Sequence, residues 1–408
     1  MTESDRPLTH TTDDKKNRVL VTVTGPDRTG VTAVLTGILA EQGAVLHDIE
    51  QVVVQGQLTL CLLVGLPRTR DVLKELLFAA KELKMELDFQ PVENEPPDAL
   101  PADSGRRYVI TAIGAALGAP HLHAIASALA AVGANIEKIS RLSEVTLASV
   151  EIHALLPPDR DADALKRTLL SVATSAGFDV SLQRESLYRR SKRLVVMDMD
   201  STLIRIEVID ELARAAGVFD RVSRITERAM QGEMDYDQSL RERVELLKGL
   251  DVKVLDRIAA ELPLTEGAET LVRVLKRLGY SIAIISGGFS RAAEALKRRL
   301  NIDYAYSNNL EIADGKLTGR VIGPIVNAQR KAELLETIAQ AEGVLLDQVI
   351  AVGDGANDAL MLERAGLGIA FHAKPKLRES ADTSISASGL DAILYLLGIS
   401  GREVHEIE

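Results

Sequence analysis

Four short apolar runs in the second half of this chain, at about 194–198, 281–285, 348–352 and 367–370, alternate with helical segments. The alternation commits residues 193 onward to a doubly wound parallel sheet, since parallel strands need helical crossovers and lie buried on both faces. The first run, Arg193–Met197, leads into Asp198-Met199-Asp200-Ser201-Thr202-Leu203. A buried strand has no structural use for two acids at its carboxyl end, and such ends are where parallel sheets place ligands. In an extended strand, residues i and i+2 point to one side. The two carboxylates are therefore expected to share one metal ion or one substrate. A largely helical insertion at about 205–262 follows them directly and is a candidate lid.

Three further stretches sit at or beyond strand ends. Ile284-Ile285-Ser286-Gly287-Gly288-Phe289-Ser290 reads as a strand, a glycine-rich turn and a helix start, a setting whose N–H groups bind phosphate. Lys331 lies near the start of a helix expected over 329–342. Gly353-Asp354-Gly355-Ala356-Asn357-Asp358 follows the strand Val349–Val352. Its Gly-x-Gly is not a dinucleotide turn, because the third glycine is missing and Asp354 would repel a pyrophosphate.

If Asp198, Asp200, Asp354 and Asp358 converge, each like-charged pair about 4 Å apart costs on the order of 4 kcal/mol at an effective dielectric of about 20. A divalent cation relieves that repulsion, and ligation by oxygen alone selects Mg²⁺ over Zn²⁺. His121 and His123 stand two apart on an expected helix, face different directions and read as structural. With Mg²⁺ and Lys331 present, a phosphoryl group can enter an otherwise acidic pocket. A carboxylate can then attack phosphorus, while a second one protonates the leaving alkoxide and activates water.

This ordered set, covering about residues 193–400, resembles the haloacid dehalogenase superfamily of phosphotransferases. The resemblance implies Asp198 as nucleophile and Asp200 as general acid/base. Thr202 and Ser286 would bind phosphate, with Gly287 and Asn357 in the same substrate-binding motifs, and Lys331 would neutralise it. Mg²⁺ would take Asp198, Asp354 and the main-chain carbonyl of Asp200, with Asp358 in support. In the insertion, Ile206-Glu207-Val208-Ile209-Asp210-Glu211 and Tyr236–Lys248 resemble the phosphoserine phosphatase family. That likeness implies that Glu207 receives the substrate ammonium and Arg243 its carboxylate. Such a pair suits a zwitterion, since Arg grips a carboxylate through two N–H bonds. Arg241, two positions away, faces elsewhere and reads as solvated. Met230 and Tyr236 align with apolar pocket residues, Tyr standing where Phe is commoner.

The expected activity is Mg²⁺-dependent hydrolysis of O-phospho-L-serine, the last step of L-serine biosynthesis, through an aspartyl-phosphate. Two alternatives stay open. One is a phosphatase of the same superfamily acting on another small ester or a phosphoprotein. The other is an amino-acid-sensing regulator with a vestigial catalytic half.

The first half carries an internal repeat. Ala40–Ala44 aligns with Ala130–Ala134 at an offset of about 90 residues, a period that suits a duplicated domain. Each copy reads strand–helix–strand–strand–helix–strand, the ferredoxin-like order. The first copy's elements are expected at about 18–24, 30–42, 45–55, 58–65, 70–83 and 85–91. The second copy's are expected at about 107–113, 120–132, 135–142, 145–155, 161–176 and 178–184. The pair resembles tandem ACT domains, the small-molecule sensors attached to amino-acid enzymes. The first copy has the family's turn, Gly25-Pro26-Asp27-Arg28-Thr29-Gly30, so Asp27 and Gly30 are the implied regulatory site, for serine or another amino acid. The second has Leu117 and Pro120 at those places. Since ACT domains commonly pair sheet edges, the resemblance implies a homodimer.

The organisation expected is a disordered leader over 1–17, ACT domains at 18–95 and 106–185, and the phosphatase domain at 193–408. Pro91–Gly105 reads as a semi-rigid linker and the basic stretch Arg184–Arg193 as a solvated one. Aromatics at 3% and a net charge of −11 argue against a nucleic-acid platform. No apolar run approaches the about 20 residues of a membrane span. A lone Cys61 in an apolar run reads as packing, and it fits a reducing cytoplasm.

Overall fold

The computed structural model describes residues 18–67, 71–92 and 105–407. The expected leader and most of the proline-rich linker lie outside the described residues. The chain divides into two compact units, Met1–Ala102 and Asp103–Glu408.

The first unit contains β1 (Arg18–Pro26), α1 (Val31–Glu41), β2 (Val45–Val54), β3 (Gln57–Gly65), α2 (Asp71–Glu82) and β4 (Glu86–Pro91). They form an antiparallel sheet of order β2-β3-β1-β4. Period-two patterning places Val19, Val21 and Val23 of β1 and Leu58, Leu60, Leu62 and Val64 of β3 on the helix-covered face. The β2–β3 hairpin closes through Gln55 and Gly56, both at positive φ, as a two-residue turn matching strand twist requires. Strand β2 is exposed along its whole length and, among the described residues, pairs only with β3.

The second unit opens with the other copy: β5 (Arg106–Ile113), α3 (Ala119–Ala131), β6 (Asn135–Arg141), β7 (Ser149–Leu156), α4 (Ala162–Ala176) and β8 (Asp179–Arg184). Strand β7 starts at 149 and not near 145. The Ser143 hydroxyl holds a turn there, accepting from Ala148 N at 2.9 Å and Ser149 N at 3.1 Å.

After α5 (Leu187–Arg190) comes β9 (Leu194–Met197), then the helical insertion α6 (Val208–Ala215), α7 (Phe219–Met230), α8 (Tyr236–Glu245) and α9 (Val252–Ala260). There follow α10 (Ala268–Arg277), β10 (Ser281–Phe289), α11 (Ser290–Leu300), β11 (Tyr304–Ala313), β12 (Lys316–Ile322) and α12 (Ala328–Ala341). The chain continues through β13 (Val349–Gly353), α13 (Ala359–Arg364), β14 (Leu367–Phe371), α14 (Pro375–Ser380), β15 (Thr383–Ile385), α15 (Ala392–Leu396) and α16 (Gly401–Ile407).

From β11 through β15 the strand pairs are parallel, in the order β11-β10-β9-β13-β14-β15. Both faces are covered: Val195 and Met197 point into one apolar layer, Leu194 and Val196 into the other. This is the expected doubly wound sheet. The sequence reading lacked β11, β12 and β15. Strand β11 is half-exposed and carries Ser307-Asn308-Asn309, so it shows no apolar period. Its hairpin partner β12 joins the insertion, where Gly249 N donates to Leu317 O and Leu317 N to Leu250 O. Among the described residues, no helix is long and apolar enough to cross a membrane.

The two copies sit differently in the chain. Strand β8 of the second one pairs with β15 at Thr383↔Ser181, so eleven strands form one sheet. The buried Asp179 carboxylate seals this joint by accepting from Ser386 N at 2.8 Å and Ala387 N at 3.0 Å. The basic stretch there is only partly solvated: Arg184, Arg190 and Arg193 are exposed, but two of its cations are not. Arg189 is buried against Glu151 and Lys192 is buried with its ammonium donating to Asp347 O at 2.6 Å. Opposite charge and a carbonyl on neighbouring elements make burial tolerable for these cations. Burial nevertheless pulls the Lys192 ammonium down to about 8.

Asp179→Ala leaves the part-buried amides of Ser386 and Ala387 without this acceptor, a loss of about 0.5–1.5 kcal/mol each. A lower urea midpoint for the full chain is expected, and an unchanged midpoint would show that the joint contributes nothing to stability.

Candidate active site

The first acids arrive at the end of β9, but not by strand alternation. The strand stops at Met197, and Met199–Leu203 coil into one tight turn with Ile204 N donating to Met199 O at 3.0 Å. Ser201 adopts φ +58° within it, a left-handed conformation uncommon for a side-chain-bearing residue. Asp198 (φ −67°, ψ 162°) and Asp200 (φ −66°, ψ 134°) nonetheless keep extended backbone on either side of Met199, and the Asp198 charge acts on Asp200. Asp198 Oδ1 accepts from Met199 N at 2.7 Å, and Asp200 Oδ1 from Val208 N at 3.3 Å.

On the neighbouring strand, Ile285 pairs with Tyr306 and Phe289 with Asn308, so Ser286-Gly287-Gly288 bulge from the ladder. The bulge admits little more than glycine. A methyl group on Gly287 would collide with the Tyr236 hydroxyl, and one on Gly288 would fall 2.5 Å from Asp200 Oδ2. The buried Ser286 hydroxyl accepts from Gly288 N at 2.9 Å.

Asn327 caps α12 by accepting from Arg330 N at 3.0 Å, which places Lys331 in the first turn. Lys331 is wholly buried, its ammonium 2.9 Å from Asp198 Oδ2 and 2.6 Å from Asp358 Oδ1. After β13, Asp358 closes a turn by accepting from Gly355 N at 3.0 Å. The expected Asp198, Asp200, Lys331, Asp354 and Asp358 thus share one end of the parallel sheet. Thr202 is buried beneath them with its hydroxyl donating to Asp354 Oδ1 at 3.1 Å. Asn357 is half-buried in the same turn.

Carboxylate oxygens of Asp198, Asp354 and Asp358 lie within 4.8 Å of one another. The donor set is oxygen alone and fits a hard divalent cation. The Asp200 side chain stands outside that group. Without a cation the acids are short of positive charge. Burial, then Asp198 and Asp358, push Asp354 up to about 8. Burial and Asp198 lift Asp358 to about 6 against the pull of Lys331. Burial, Glu207 and Asp198 raise Asp200 well above the carboxylate range. Burial alone would lower the Lys331 ammonium, but Asp198 and Asp358 outweigh it and hold it above the ordinary lysine range.

The insertion supplies the other side. Glu207 is exposed to water yet has protein packed around it, and this partial desolvation raises its carboxyl. The Ser201 hydroxyl, donating to Glu207 Oε1 at 2.7 Å, opposes the shift, as does the Arg243 charge. Half-buried Arg243 donates to Ser239 O at 3.3 Å and Thr226 Oγ1 at 3.5 Å, while Arg241 on the next face is exposed. Tyr236 is not a purely apolar wall: its hydroxyl donates to Gly287 O at 3.1 Å. Met230 is 67% exposed at the end of α7, with Lys374 Nζ donating to its sulfur at 3.2 Å. In the first unit, Gly30 begins α1 at φ +94°, and the exposed Asp27 donates its N–H to Gly56 O at 2.8 Å.

Sequence reasoning missed Ser201 as partner of Glu207, although its place directly after Asp200 marked it. It also missed Asn308, which had no signal because its strand had none.

The sequence pattern of the haloacid dehalogenase-like hydrolases matches residues 192–366, and ACT-domain patterns match 17–90 and 107–183. A phosphoserine phosphatase from Streptomyces coelicolor is 44% identical over 389 residues, 95% of this chain and 93% of that one. One from Mycobacterium tuberculosis is 44% identical over 396 residues, covering 95% of each. Among solved structures, a probable phosphoserine phosphatase from Vibrio cholerae superposes with a TM-score of 0.56 at 35% identity. That superposition covers 74% of this chain and 90% of the other. The chain belongs to the phosphoserine phosphatase family of haloacid dehalogenase-like hydrolases, with two ACT domains.

Gly288→Ala is expected to displace Asp200 and reduce turnover on the order of 100-fold in a folded protein. Turnover like wild type would contradict the close fit of that turn.

Proposed function

We propose that this hydrolase cleaves O-phospho-L-serine to L-serine and phosphate, with Mg²⁺, through an aspartyl-phosphate on Asp198, as the last step of L-serine biosynthesis. The observation that carries the reading is the Lys331 ammonium buried between Asp198 and Asp358, beside the oxygen-only group of Asp198, Asp354 and Asp358. Mg²⁺ would be held by Asp198, Asp354 and the Asp200 carbonyl, with Asp358 in support. When bound, it supplies charge neutralisation and a fixed anchor for phosphoryl oxygens.

The chain's own groups carry the bond changes. An Asp198 oxygen forms a bond to phosphorus as the serine Oγ–P bond breaks. Asp200, whose carboxyl is raised by burial and neighbouring acids, keeps a proton to give to the departing alkoxide. It then takes a proton from the water that attacks the aspartyl-phosphate, releasing phosphate and restoring Asp198. Lys331, Ser286 and the N–H groups of the 286–288 bulge balance the phosphoryl charge, with Thr202 and Asn357 at the border. Glu207 and Arg243 receive the ammonium and carboxylate of the substrate, a reading supported by the Arg243 charge reaching the Glu207 carboxyl. Met230 and Tyr236 line the insertion side.

For the first unit, the Asp27–Gly30 turn is proposed to bind serine or another amino acid. The ACT domains are proposed to make a homodimer, supported by the open β2 edge with Val45, Leu46, Ile49 and Val52–Val54 exposed. A single half-buried cysteine supports a cytoplasmic setting.

A panel of phosphate esters with and without Mg²⁺, read as released phosphate, tests the main reading. Asp198→Asn should leave less than about a thousandth of the turnover, and activity near wild type would sink the mechanism. Arg243→Ala should harm phosphoserine far more than an aryl phosphate; equal losses would remove the carboxylate contact. Serine titrated calorimetrically into the full chain at millimolar concentration should release or absorb heat, with sedimentation of the same sample giving a dimer mass. No heat would remove the serine-binding proposal, and a monomer mass the dimer proposal.

A further inference from the structure

Asn308 is a polar residue with no exposed surface, inside a strand whose sequence marks it for nothing. Its surroundings explain its burial. The bulge at Ser286-Gly287-Gly288 interrupts the β10–β11 ladder, and a bulge takes backbone groups out of strand pairing. The buried backbone still demands partners. Asn308 Nδ2 donates to Gly287 O at 2.8 Å, and the other end of the same amide, Oδ1, accepts from Val326 N at 2.9 Å. Val326 is buried in the loop between β12 and α12 and immediately precedes Asn327, the cap of α12. One planar side chain thereby joins the turn bearing Ser286 to the helix start bearing Lys331.

The Gly287 carbonyl has a second donor, the Tyr236 hydroxyl from the insertion at 3.1 Å. The insertion meets the α12 cap as well, where Asn327 Nδ2 donates to Asp237 Oδ1 at 3.1 Å. Both segments bridged by Asn308 are therefore also where the insertion touches the core. Neither hydroxyls nor apolar side chains can replace the amide, since the position needs a donor and an acceptor held at opposite ends of one rigid group.

We infer that Asn308 is a positioning residue for the phosphoryl site, holding the 286–288 bulge in register with Lys331. It touches no substrate and acts through the Gly287 carbonyl and the Val326 N–H. The inference rests on the phosphatase reading and names a residue beyond its reacting groups. Asn308→Asp keeps an acceptor for Val326 N and loses the donor to Gly287 O; Asn308→Ala loses both.

The test measures binding of inorganic phosphate to the full chain with Mg²⁺ by calorimetry, beside KM, kcat and thermal midpoint. Both variants should bind phosphate about ten-fold more weakly, with kcat lower on the order of 100-fold, well below their melting temperatures. A merely structural role would lower the midpoint and the active fraction without moving phosphate affinity or KM. A folded variant with affinity and kcat like wild type would overturn the inference. If neither variant folds, Tyr236→Phe removes the other donor to the same carbonyl from the half-buried insertion side. It should weaken phosphate binding by a few fold, and unchanged affinity would overturn the claim that this carbonyl sets the site. Wild-type protein that neither binds phosphate nor releases it from any ester would instead refute the functional reading beneath.

Discussion

The Lys331 ammonium, without exposed surface between Asp198 and Asp358, is the interaction on which the site depends. A buried charge is tolerable only when paired and hydrogen-bonded, and here each partner comes from a different strand end. Asp198 follows β9, Asp358 follows β13, and Lys331 stands on α12. Pairing the charge therefore draws three crossover units to one point. The cluster still holds more acid than base, and that imbalance is why burial and mutual repulsion raise Asp200, Asp354 and Asp358. A cation held there would complete the balance and let a phosphoryl group enter a pocket in a chain whose net charge would repel it.

Around this centre the backbone is irregular at two places. Ser201 takes a left-handed turn, and residues 286–288 leave their ladder. Each irregularity is held by a specific side chain: Ser201 reaches Glu207, and Asn308 and Tyr236 reach Gly287 O. The second ACT-like sheet extends the same logic outward. It is built into the catalytic sheet through β8 and β15, with Asp179 closing the joint.

Much of this was legible in the residues. Apolar runs with β-branched residues marked β9, β10, β13 and β14 because buried parallel strands must be apolar throughout. The acids and glycines at their ends stood out for having no packing use. What was not legible had no local signal. Strand β11 is half-polar, and β15 has three residues. The burial of Arg189 and Lys192 depends on Glu151 and Asp347, which are distant in sequence, so composition alone favoured a solvated linker. The extended-strand argument for Asp198 and Asp200 assumed a strand that in fact stops at Met197, although both residues keep extended dihedrals beyond it.

By itself the sequence determined the strand–helix alternation of the second half, the duplicated ACT-like half and the reaction class, and it marked the acids and lysine proposed to serve it. Those follow from hydrophobic period and from charge placed where packing cannot use it, both local properties. Only the tertiary structure decided which groups satisfy one another. Thr202 donates to Asp354, Tyr236 turns its hydroxyl to Gly287, Asn308 ties two loops, and β8 joins β15. Such pairings arise because every buried donor and acceptor needs a partner, and the fold alone settles which distant residue is near enough to be one.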